Sequence, residues 1–121
     1  MPEEEERLIV WATYETRIEC LQPQEVLQAI MENAVDRYLS LHPTVFPIDR
    51  QNLSINLKVQ KNYRSKGEIL TISIAEESFY IASESIAKPH QLIAWGKNRN
   101  NVLTLSGYVR DAIAQLSYSI A

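Results

Sequence analysis

The sequence predicts an α+β fold: a two-layer sandwich in which an antiparallel sheet of three to five strands carries two helices on one face, in the order β-α-β-β-β-α. Three observations lead to it. Side-chain polarity alternates with a period of two through 8–21, 53–60 and 70–74. Apolar residues recur at spacings of three and four through 27–41 and 105–120. The second and third alternating runs are joined by Arg64-Ser65-Lys66-Gly67, which has the composition of a hairpin turn. A chain of 121 residues, 45% apolar and 22% charged, is suited to one domain with one core.

Residues 1–7, with Glu3 to Glu6 in succession, read as a solvated, disordered acidic tail, and 8–121 as the single α+β domain. In the first strand Val10, Ala12, Tyr14, Thr16, Ile18 and Cys20 share one face, while Thr13, Glu15, Arg17 and Glu19 share the other. Cys20 falls on the inward face, where a cysteine behaves as a small hydrophobe. Pro23 suits the first helical position because its missing N–H costs nothing there, and Glu25 favours the helix N-terminus. Leu27, Ile30, Met31, Ala34, Tyr38 and Leu41 form a core-facing stripe, which His42-Pro43 ends.

Pro43 to Asn52, with a second proline at Pro47, reads as an ordered connection pinned by Val45, Phe46 and Ile48. Leu53, Ile55, Leu57 and Val59 then alternate with polar residues, as do Leu70, Ile72 and Ile74, giving an antiparallel hairpin. Residues 75–88 fit two patterns, a third meander strand over Phe79–Ser83 or a helix, and the strand is favoured. Gln91–Trp95 is expected to be a short edge strand or packed loop, and Gly96-Lys97-Asn98-Arg99-Asn100-Asn101 a polar turn. Leu105, Val109, Ala112, Ile113, Leu116 and Ile120 give the second helix, packed beside the first.

Charge is unevenly distributed. Residues 1–49 hold ten acids and three bases, a net of −7, and residues 50–121 hold nine bases and five acids, a net of +4. Two acid-free runs carry most of the positive charge: 50–67, with Arg50, Lys58, Lys61, Arg64 and Lys66, and 85–110, with Lys88, Lys97, Arg99 and Arg110. Such segregation suits an anionic partner, an acidic protein or a second copy of the chain. The candidate contacts are Lys58, Lys61, Arg64 and Lys66 around the hairpin, and Lys97 and Arg99 with Trp95 beside them. The sheet face turned away from the helices is expected to be polar, weakly basic and hydroxyl-rich, with Ser54, Asn56, Lys58, Gln60, Thr71, Ser73, Trp11 and Arg17. Trp11 or Tyr63 there would serve for base stacking.

No chemistry-bearing motif accompanies these residues. Three glycines, Gly67, Gly96 and Gly107, cannot write a phosphate loop or a dinucleotide fingerprint. The two histidines, His42 and His90, each adjoin a proline and share no metal-ligand spacing with the lone Cys20. No catalytic residue, metal or cofactor is therefore expected. The uncharged apolar runs are shorter than a bilayer span, and the start lacks the basic and apolar regions of a signal peptide. With a single cysteine, that points to a cytoplasmic protein without a membrane partner.

The strand, helix, three-strand meander and helix are similar in outline to the ribosome-hibernation factors and to the double-stranded-RNA-binding domain with an added first strand. The likeness is one of topology. Those families carry strongly basic helices, whereas the first helix here holds Glu25, Glu32 and Asp36 against Arg37. The function expected first is therefore non-enzymatic: a protein-binding or assembly module, with self-association as one form. Binding of RNA or single-stranded DNA through the basic loops is the alternative, and an enzyme of unknown chemistry is third.

Overall fold

The computed structural model describes residues 13–60, 67–86 and 91–120, without the side chains of 91–95 and 117–120. Its elements are β1 (Thr13–Glu19), α1 (Gln24–Leu41), β2 (Val45–Arg50), β3 (Ser54–Val59), β4 (Glu68–Ala75), β5 (Ser78–Ser85) and α2 (Gln91–Ile120). The strands form one antiparallel sheet in the order β1-β5-β4-β3-β2. The α+β architecture expected from the sequence is present, with five strands and two helices.

Alternation along each strand becomes a layered core once the strands are in register. Ile55, Ile72, Ile81 and Thr16 lie side by side across β3, β4, β5 and β1, and Leu57, Leu70, Ser83 and Tyr14 form the neighbouring row. Both helices pack on this face and on each other. α1 contributes Leu27, Ile30, Met31, Ala34, Val35 and Tyr38, and α2 contributes Val102, Leu105 and Val109, all buried. Pro23 takes the N-cap, one position earlier than expected, and its carbonyl accepts the first helical bond from the Leu27 amide at 3.0 Å.

Two expectations are corrected. The segment expected to be a connection over 43–52 contains an edge strand, β2, and Phe46 and Ile48 in it are exposed where they were expected to pin the loop. A proline is tolerated there because of the ladder's phase. The Gln60 amide donates to the Thr44 carbonyl at 2.8 Å, which makes Phe46 and Lys58 the next bonded pair and turns the Pro47 nitrogen to the free edge. A shift of register between Pro47 and Asp49 follows at once, so Ile48 is a bulge.

The second correction concerns 91–101. Neither an edge strand nor a polar turn forms there; Gln91–Trp95 and Gly96–Asn101 are the first turns of the 30-residue helix α2. Glycine and asparagine disfavour helix locally, but here two of the asparagine side chains are occupied by the sheet. Ser83 Oγ donates to Asn98 Oδ1 at 2.7 Å, and Asn98 Nδ2 donates to Ser85 Oγ at 3.0 Å. Asn101 Nδ2 donates to Glu68 Oε1 at 3.1 Å and to Ser83 Oγ at 3.2 Å. The helical stripe of Val102, Leu105 and Val109 thus continues N-terminally in polar residues. Where 75–88 fitted two patterns, the structure has strand β5 over Ser78–Ser85, after a two-residue turn in which Glu76 takes a left-handed φ of 55°.

Candidate functional site on the open sheet face

One face of the sheet lies under the helices and the other has no layer on it among the described residues. Register fixes what that open face presents. One row runs Phe46, Lys58, Ile69, Glu84, Thr13, the next Asp49, Asn56, Thr71, Ala82, Glu15, and a third Ser54, Ser73, Tyr80, Arg17. In the second row Asn56 Nδ2 donates to Asp49 Oδ1 and Thr71 Oγ1 donates to Asn56 Oδ1, each at 2.8 Å. These bonds tie β2, β3 and β4 together across their solvent side.

The hydroxyls expected here are present, but the charge balance is not. The described face carries Arg17 and Lys58 against Glu15, Glu19, Asp49 and Glu84, so it is weakly acidic instead of weakly basic. It carries a groove of about 780 Å³ lined by Phe46, Pro47, Ile48, Lys58, Ile69 and Glu84, with Ser85 and Ile86 at its end. Phe46, Ile48 and Ile86 are 44%, 51% and 46% exposed. Isolated exposed apolar residues are ordinary, whereas here three of them stand around one groove.

The residues singled out from the sequence are distributed between two layers. Lys58 lies in the groove on the open face. Lys97 and Arg99 stand in the early turns of α2, in the helix layer, on either side of the buried Asn98. The sheet separates them from Lys58. Trp95 belongs to the same helix, with its side chain outside the described residues, and Lys61, Arg64 and Lys66, like Trp11 and Tyr63, also fall outside them. The bonds of Asn98 and Asn101 set the start of α2 at the end of the sheet where β3 stops at Val59 and β4 begins at Glu68. Arg50, the first base of the basic run, is matched within the molecule: its guanidinium lies 3.6 Å from Glu32 and 3.7 Å from Asp36 of α1.

Sequence reasoning missed the polar cluster between α2 and the sheet. Glu68 is 2% exposed, and Ser83 and Asn98 are as deeply buried. Two signals point to it. The alternation of Leu70, Ile72 and Ile74 extends back to Glu68, and the helical spacing of Leu105 extends back to Asn101 and Asn98. Every one of these side chains has a partner, so the cluster is a satisfied polar core, not an open catalytic centre.

A second cluster joins the helices. Tyr38 stacks on His42 with ring centroids 4.4 Å apart, Tyr108 meets both edge-on, and Tyr108 Oη lies 3.3 Å from His42 Nε2. Burial, with Tyr108 and Glu68 nearby, pushes the Tyr38 phenol up to about 12. Cys20 is buried, and burial raises its thiol above the ordinary value although the Gln22 backbone hydrogen bond opposes this. Neither environment activates a nucleophile. Among the described residues no three histidine, cysteine or acidic side chains are grouped to hold a metal, and no helix is long and apolar enough to cross a membrane. No known family model matches the chain, and no curated protein matches it at a significant level of similarity.

Proposed function

We propose that the chain is a non-enzymatic protein-binding or assembly module of the cytoplasm, and that it works by self-association. The observation that carries this reading is the open sheet face with exposed Phe46, Ile48 and Ile86 around one groove. In this reading the acidic and basic halves of the sequence complement one another between copies as well as within one, where Arg50 already meets Glu32 and Asp36. The lone, buried Cys20 suits a reducing compartment.

Light scattering after size exclusion, at low and high salt, tests it. The expected result is a mass of two or more copies that depends on concentration. A monomer at every salt and concentration, with no protein partner recovered, overturns it.

A second reading is RNA or single-stranded DNA binding through Lys58, Lys61, Arg64, Lys66, Lys97 and Arg99. What favours it is that α2, with Lys97 and Arg99, starts at the sheet end where β3 stops and β4 begins. Against it stand the acids of the open face. Affinity that falls steeply with salt is its signature, and failure to retard any oligonucleotide at about 50 mM salt removes it.

A further inference from the structure

We infer that a second copy of this chain seats face to face on the groove, about a two-fold axis that runs along β4 over Ile69. This rests on the self-association proposed above and names its surface and partner residues. In the row through the groove, Ile69 is flanked by Lys58 on β3 and by Glu84 on β5. Strands are spaced about 4.8 Å apart, so the two charges stand about 10 Å from each other, on opposite sides of an apolar residue. Among the described residues neither is in an ion pair.

That arrangement is self-complementary. An axis lying in the interface and parallel to β4 carries each lateral position to its mirror position on the other copy. Lys58 then faces Glu84 of the second copy, Glu84 faces Lys58, and Ile69 meets Ile69. Facing sheets pack about 10 Å apart, a gap that a lysine and a glutamate reach across together. Phe46 lies in the same row one strand beyond Lys58, and Ile86 follows at the groove's end, so apolar surface is covered around the paired charges.

A nucleic acid fits this face poorly, because four acids stand on it against two bases. A second copy matches the charges of the row through the groove without any other molecule. The open face measures roughly 24 Å by 24 Å in projection, near the lower limit for a stable interface, so the pairing is expected to depend on concentration and salt. The same axis sets Asp49 opposite Glu15 of the second copy, a like-charge meeting at the lateral edge of the face.

The test is sedimentation equilibrium of the full chain at low and high salt, on the unaltered protein and on K58E, E84K, K58E/E84K and D49N, with circular dichroism showing that each is folded. A dimer is expected. Each single reversal should weaken it roughly tenfold or more, and the double reversal should recover most of the loss. D49N, which keeps an acceptor for Asn56, should tighten it at low salt. A dimer indifferent to K58E and E84K, or one that the double reversal does not recover, overturns this geometry while the assembly reading stands. A monomer at every concentration overturns both.

Discussion

Asn101 donates from Nδ2 to Oε1 of Glu68 at 3.1 Å, joining a helix to the strand that begins 33 positions earlier in the chain. With Asn98, Ser83 and Ser85 this bond determines how the first turns of α2 lie on the sheet. A buried acceptor or donor that loses its partner costs about 1–3 kcal/mol, several times an exposed ion pair such as Arg50 with Glu32. Asn98→Ala and Asn101→Ala should therefore each lower the unfolding free energy by about 1–3 kcal/mol. Arg50→Ala should lower it by less than about 1 kcal/mol. Urea unfolding of the three variants checks the ordering.

Alkaline pH should destabilise the protein through Tyr38. Its folded value of about 12 exceeds the unfolded value of about 10, because burial, then Tyr108 and Glu68, disfavour the phenolate. The stabilising contribution is complete below pH 10 and is lost as pH rises from about 10 to 12. It amounts to about 3 kcal/mol. Melting temperatures across that interval should fall more steeply for the natural chain than for Tyr38→Phe.

The thiol of Cys20 should be inert in the native protein. It is 6% exposed and its pKa is raised, so both access and thiolate content are low. Modification by a coloured disulfide reagent should be slow at neutral pH and become fast and stoichiometric once the protein is unfolded. Rapid native labelling would contradict the burial of Cys20 just beyond the end of β1.

Three backbone positions leave stability unused. A methyl group added at Gly96 or Gly107 of α2 meets nothing within 4 Å, so Gly96→Ala and Gly107→Ala should each stabilise by about 0.5–1 kcal/mol. Glu76 holds φ at 55° in the β4–β5 turn, and Glu76→Gly should relieve about 1 kcal/mol of strain. Calorimetry on each variant reads the sign directly.

Where burial and periodicity coincide, the sequence was readable. Leu27 to Tyr38, Ile55 with Leu57, and Leu70 to Ile74 alternate or recur with apolar side chains, and each run became the element expected of it. Reading failed where the inward positions are polar or the backbone signal is that of a turn. Asn98 and Asn101 are inward residues of a helix, but their type alone indicates a loop, and their partners on β4 and β5 are distant in sequence. Pro47 argued against a strand because its tolerance depends on which ladder phase meets the free edge. The open face was anticipated in its hydroxyls, whereas its net sign depended on which residues of β1, β2 and β5 share a face with Lys58.

The Pro47 and Ile48 irregularity also decides what kind of aggregate is reachable. A sheet grows without limit when its outermost strand offers a regular row of amides and carbonyls to a newcomer. On β2 that row lacks the proline amide and is interrupted by the bulge one residue later. The opposite border, β1, presents Glu15, Arg17 and Glu19 in quick alternation. Copies that paired by their flat sides, as proposed above, would form a finite unit, and among the described residues neither border strand offers the regular, uncharged row from which a fibre extends.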